Sequence, residues 1–217
     1  MLDLTEEDIR NRLKQAQESD PGDPYLEYPP LLLQAKGKPK PAAVLIPLLR
    51  EDSAWQILFT RRRDDLPEHS GQVAFPGGRT DPADKSPEVT ALREAWEEIG
   101  LKPEHVQILG RLRNYLTITN YIVTPIVGVI PWPYNLQLET KEVSRAFTIP
   151  LAWLMDPANF EEHPRLLPEP NPPVKVIYFK HYDGELLWGA TARLTLALMR
   201  AFSHTESSAT HAALTDS

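Results

Sequence analysis

Apolar residues recur along this chain at two spacings, and each predicts its own elements. Leu4, Ile9 and Leu13 form a helical stripe, and Thr5 with Asp8 three positions on resembles a capping box, so residues 4–18 predict a helix. The apolar runs 42–49 and 55–61 have strand length, and Glu51-Asp52-Ser53 between them reads as a turn, which predicts a hairpin. A short strand over 72–75 should end at Pro76-Gly77-Gly78. Ser86 is a good helix cap, Pro87 fits a first helical position and Gly100 suits a left-handed stop, so 87–99 predicts a helix. Strands are expected over 106–112, 121–130 and 143–149, then a turn and short helix over 149–155. Residues 174–182 predict a strand with a partner at 185–188, and 189–201 a closing helix.

The intervals between these elements differ in character. Residues 19–41 hold six prolines and predict an extended linker; 79–85 is a polar loop; 156–173 is a proline-rich loop. The tail after Ser203 is rich in Ser, Thr and Ala and predicts disorder. The organisation expected is an N-terminal helix and extension over 1–41, a core domain over 42–202 and a loose tail over 203–217. Strands and helices interleave as in an α+β fold with a mixed sheet and helices on its faces.

Composition narrows the chemistry. The 217 residues suffice for one domain with a sizeable core. A net charge of −7 argues against a nucleic-acid backbone as partner. With no cysteine there is no disulfide, thiolate metal site or cysteine nucleophile. No apolar run approaches the roughly 20 residues that span a bilayer, and the acidic, amphipathic start is unlike a secretory signal, so a cytoplasmic location with no membrane partner is expected.

The helix over 87–99 carries the sharpest chemical signal. Glu94, Glu97 and Glu98 crowd one helical turn beside Arg93. Positions three and four apart share a helix face, where like charges repel. Taken alone, such a run is a solvated face. It gains another sense if a hard divalent cation sits among the oxygens, since such ions take carboxylates and substrate phosphates together.

Gly77-Gly78, a loop, then Arg93-Glu94-Ala95-Trp96-Glu97-Glu98-Ile99-Gly100-Leu101 resembles the Nudix box, G-x5-E-x7-R-E-U-x-E-E-x-G-U, with U a bulky aliphatic residue. Ala95 departs at the first U, and the stretch from Gly78 to Arg93 is one residue longer than usual. Counting forward from Gly78 puts Asp84 where the first glutamate belongs; counting back from Arg93 puts Lys85 there. Upstream, Leu58-Phe59-Thr60-Arg61-Arg62, then Leu66, His69 and Gly71 through Gly78, resembles the signature of coenzyme A pyrophosphatases, with Pro67 where an arginine is usual.

The resemblance implies a Nudix fold, a mixed sheet sandwiched between helices, and hydrolysis of coenzyme A or a derivative at its diphosphate. It implies Mg2+ or Mn2+ held by Glu94, Glu97 and Glu98, with Arg93 orienting the carboxylates. Arg61 and Arg62 would meet substrate phosphate, and Gly77 and Gly78 would let the backbone come close to it. Glu97, Glu98 or Glu142 would act as the base. The implied partner is a small-molecule nucleoside diphosphate derivative; a homodimer is left open. Two other readings stay open: a Nudix enzyme for another substrate such as ADP-ribose, and a Nudix domain that only binds a nucleotide.

Overall fold

The computed structural model describes residues 4–18, 37–67, 69–166 and 173–203. The expectations for 19–36 and for the tail beyond 203 lie outside these residues. Helix α1 (Glu6–Glu18) starts at the anticipated box: the Asp8 amide donates to Thr5 Oγ1 at 3.1 Å, and the Thr5 amide donates to the Asp8 carboxylate at 2.8 Å.

Strands β1 (Lys40–Glu51) and β2 (Ala54–Arg62) form the expected hairpin. Asp52 and Ser53 both have positive φ, as a two-residue turn matching strand twist requires. β1 begins inside the stretch expected to be linker, because residues 40–48 pair in parallel with β7 (Tyr121–Val129). β8 (Val143–Pro150) pairs with the other edge of β2, and β5 (Gln107–Arg111) with β7. Short strands β3 (Val73–Ala74), β4 (Gly77–Arg79) and β6 (Tyr115–Leu116) pair with β2, β1 and β7 respectively. One parallel pairing among antiparallel ones makes the eight-stranded sheet mixed.

Alternation along the strands feeds two cores. On one face Ile46, Leu48, Ile57 and Phe59 pack with Ile9 and Leu13 of α1, Leu154 of α3 (Leu151–Met155) and Met199 of α4 (Gly189–Ser203). On the other face Ala43, Leu45 and Leu58 pack with Ala91, Ala95 and Ile99 of α2 (Pro87–Ile99). The α+β sandwich expected from the sequence is thus the observed architecture. None of the described helices is long and apolar enough to cross a membrane.

Two expectations are corrected. Gly77-Gly78 is not only a turn after a strand: it belongs to β4, antiparallel to β1. A Cβ on Gly77 would lie 2.5 Å from the Ala43 carbonyl oxygen, so glycine lets the two backbones lie flush. The expected loop over 156–173 contains strand β9 (Phe160–Arg165), which pairs antiparallel with β10 (Val174–Phe179). All but the first residue of β9 are exposed, so no alternation marks it in the sequence.

Candidate active site

Helix α2 is built as its sequence demands. Ser86 Oγ accepts from the Val89 amide, and Gly100 closes the helix with φ +68°. The following loop finishes the end: the Gln137 amide donates to the Ile99 carbonyl at 2.9 Å and the Glu139 amide to the Glu98 carbonyl at 2.8 Å. Glu142 then donates its amide to the Glu139 carbonyl, while its own carbonyl accepts from Arg63. The loop that caps α2 therefore carries Glu142 to the acidic cluster.

Arg93 is the hub of one side. Its Nη1 reaches Glu94 Oε1 at 2.8 Å and Glu97 Oε2 at 3.0 Å; its Nη2 reaches Asp84 Oδ2 and the Arg79 carbonyl, each at 3.0 Å. Asp84 also accepts from Thr90 Oγ1 and from the Asp81 amide. Its side chain is only 4 % exposed, and the Arg93 hydrogen bonds hold its carboxyl down at about 2. Asp84 was visible in the sequence only as one of two ways to count the box. The structure resolves the count: five residues separate it from Gly78, and the extra residue falls between Asp84 and Arg93.

Glu98 stands in the opposite condition. It is 7 % exposed, and its Oε2 accepts from the Gly77 amide at 3.2 Å. Burial pushes its carboxyl up to about 8; Glu94 and Glu142 push in the same direction, while the Gly77 amide and Arg62 oppose them. Glu94 is raised as well, first by burial and against the pull of Arg93, with Glu97 and Glu142 adding to the rise. Its carboxylate fills the space over Gly78, where a Cβ would lie 2.5 Å from Oε2.

Arg61, Arg62 and Arg63, consecutive in the chain, divide. Arg63 is spent on Asp65 and the Thr140 carbonyl, and Arg61 on Asp64 and Glu185. Arg62 lies on the α2 face near Glu98, and its Nε is buried without a hydrogen bond. Of the groups named from sequence, Glu94, Glu98, Glu142 and Arg62 are brought together, with Gly77 and Gly78 as the floor. Glu97 is 57 % exposed and turned to Arg93. His69 is exposed and bonded to Gln72, and Trp188 stacks on Tyr178 away from the cluster.

Among the described residues, no group of three His, Asp or Glu side chains is drawn together tightly enough to grip an ion as arranged. The donor set nonetheless fits a hard divalent cation. Two enclosed carboxylates on successive turns repel one another, burial and mutual repulsion raise both, and a doubly charged ion would relieve both.

Comparison with known proteins gives the following. The NUDIX domain model matches residues 39–169. The chain is 37 % identical over 169 residues to NudL of Photorhabdus laumondii, described as an uncharacterized Nudix hydrolase; the match spans 78 % of this chain and 88 % of that protein. It is 38 % identical over 153 residues to NudL of Yersinia pestis, described likewise, spanning 70 % and 75 %. A looser likeness joins it to the crystal structure of RenU, a Nudix hydrolase from M. smegmatis. That match has 20 % identity and a TM-score of 0.47, covering 55 % of this chain and 76 % of that one.

Proposed function

The chain belongs to the Nudix family and is a Nudix hydrolase for a nucleoside-diphosphate-linked substrate, and on that premise we propose that it cleaves coenzyme A or its derivatives. The products would be adenosine 3',5'-bisphosphate and 4'-phosphopantetheine or its acyl form. The substrate assignment is supported by residues 58–78, which resemble the coenzyme A pyrophosphatase signature and whose Arg62 on β2 and Gly77-Gly78 on β4 meet the acidic cluster. The observation that carries it is Arg62: the signature's strand brings a guanidinium with an uncommitted buried Nε beside Glu98. A diphosphate oxygen is the partner that this nitrogen lacks.

In this reading Glu94 and Glu98 would hold Mg2+ or Mn2+, and Glu97 would join them only by leaving Arg93. The ion, when bound, neutralises diphosphate charge and makes water a better nucleophile. Arg62 orients the diphosphate against it, and Gly78 leaves room for the Glu94 carboxylate that would hold the ion. Water adds to one phosphorus, the bridging P–O bond breaks, and the water's proton passes to a carboxylate of the cluster, Glu142 or Glu98. Little covalent work falls to the protein, so positioning and charge supply the catalysis.

Pro67, where the signature has an arginine, favours a second reading: a Nudix enzyme for another diphosphate such as ADP-ribose. Incubation with coenzyme A and Mg2+ or Mn2+, beside ADP-ribose and nucleoside triphosphates, separates the two. Release of adenosine 3',5'-bisphosphate is expected. Turnover of ADP-ribose or a triphosphate with coenzyme A left intact would overturn the substrate. Nucleotide binding with no cleavage of any of them would instead make this a binding domain.

A further inference from the structure

The chain carries 30 acidic and 23 basic residues, yet residues 37–50 and 112–130 contain no Asp or Glu. These stretches supply β1 and β7, which run in parallel from the pair Lys40 and Tyr121. β4 flanks β1 on its other side, with Arg79 opposite Ala42. Lys40, Ala42 and Tyr121 share the sheet face that packs on α1. Arg79 reaches the same face: its guanidinium lies 5.2 Å over the Tyr121 ring. Both cations are exposed, and neither meets a carboxylate among the described residues. Asp81, the nearest acid along the chain, accepts from the Ala83 amide, and Asp84 is held by Arg93. Two like charges on one face, with no acid to balance them, repel one another and suit an anion.

This basic seat adjoins the acidic cluster. The edge of β4 that faces away from β1 is bonded by α2: the Gly77 amide donates to Glu98 Oε2 at 3.2 Å, and the Arg79 carbonyl accepts from Arg93 Nη2 at 3.0 Å. Gly78 between them lies against the Glu94 carboxylate, and Arg79 is the next residue, one Cα step of about 3.8 Å further on. Among the described residues β4 pairs with β1 alone, and it is three residues long. No further strand stands between the cluster and the Arg79 side chain. Arg62 is on the cluster's side and serves the diphosphate; Arg79 and Lys40 are one strand away and suit a second anion on the same molecule.

We propose that Arg79 and Lys40 bind a phosphomonoester carried on the same nucleoside whose diphosphate is cleaved at the acidic cluster. The proposal rests on the coenzyme A reading, whose product bears one phosphate on the 3' and one on the 5' oxygen of a single ribose. The 5' oxygen leads to the diphosphate on the α2 side of β4, and the 3' oxygen carries the monoester past its edge to the Arg79 fork. That fork meets two phosphate oxygens, and the Lys40 ammonium adds a point charge. The Tyr121 ring steadies the guanidinium from beneath. Arg79 and Lys40 thereby set specificity for a nucleoside that bears the extra phosphate.

The test compares coenzyme A with dephospho-coenzyme A, which lacks only the 3' phosphate, using the full chain with Mg2+. Wild type is expected to favour coenzyme A in kcat/KM by about tenfold or more, the scale of one charge-assisted hydrogen bond, mainly through KM. Arg79→Met keeps an unbranched stem over Tyr121 and should bring the ratio of the two substrates close to one. Arg79→Lys should leave the ratio intermediate, and Lys40→Met should lower it by a smaller factor. Adenosine 3',5'-bisphosphate should inhibit wild type more strongly than AMP, and Arg79→Met should erase that difference. Thermal melts show whether each variant is folded, and Arg79→Lys with Lys40→Met serves if Arg79→Met is not. Equal wild-type turnover of both substrates would overturn the proposal while the diphosphatase reading stands. So would an Arg79→Met protein that slows both by one factor, since Arg79 would then act on the diphosphate that they share. Failure to cleave either substrate would remove that reading and this proposal with it.

Discussion

Asp84 and Glu98 are both enclosed carboxylates within reach of α2, and they sit in opposite electrostatic conditions. Asp84 meets Arg93, Thr90 and a backbone amide, and its carboxyl is held at about 2. Glu98 meets one amide, with two other carboxylates nearby, and is pushed up to about 8. Arg93 makes the difference: it turns toward Asp84, Glu94 and Glu97 and not toward Glu98, which has only the charge of Arg62 nearby. One side of the helix is a finished structural clamp. The other keeps unbalanced negative charge, which costs stability and suits an ion.

The largest effect that bears on this contrast is expected from Glu98→Gln. It should lower kcat roughly a thousandfold or more, the scale of losing a group that stabilises transition-state charge, while the thermal melt stays cooperative. Activity kept within tenfold would place the essential oxygens elsewhere. Arg62→Ala should follow, with kcat/KM down by about ten- to a hundredfold, the worth of a charged hydrogen bond, mostly through KM. An unchanged KM would mean that Arg62 does not meet the substrate.

Asp84→Asn should act on the fold first, with urea unfolding showing a loss of about 2 kcal/mol. The sign follows from a lowered carboxyl: the contribution is complete above the unfolded value near 4 and disappears as pH falls through about 2. Wild type should therefore lose that stability on acidification, and the Asn variant should not. The gentlest effect is a drift in the metal-free protein. Because the folded carboxyl of Glu98 is raised, its contribution is complete below the unfolded value of 4.5 and fades as pH rises through about 8. In a chelator the melting temperature should slide downward across that window, and Glu98→Gln should flatten the slide. A slide of equal slope in both proteins would assign it to other groups.

Helix α2 could be read from the chain because its signals are local: Ser86-Pro87 at one end, Gly100 at the other, apolar spacing between. β4 could not, since Gly77-Gly78 becomes a strand only by lying against the β1 backbone more than thirty residues earlier. β9 was missed for a different reason: after Phe160 every residue of Glu161-Glu162-His163-Pro164-Arg165 is exposed, so burial leaves no period of two. At the site, the acidic residues and arginines were all named from sequence. Which arginine faces Glu98 was not, because that depends on strand parity and on the bulge at Ser144, a residue about eighty positions away. Asp84 was hidden by the longer loop, which made two counts of the box equally good until Arg93 was seen to bond it.

Calorimetric titration of the metal-free protein with Mg2+ at pH 7, in two buffers of different ionisation heat, addresses the ion site itself. A carboxyl that holds its proton to about 8 must release it when a cation takes its place. Release of about one proton per bound ion is the expected result, falling to near zero in Glu98→Gln along with affinity. Tight Mg2+ binding with no proton release, or binding that Glu98→Gln leaves untouched, would contradict the account.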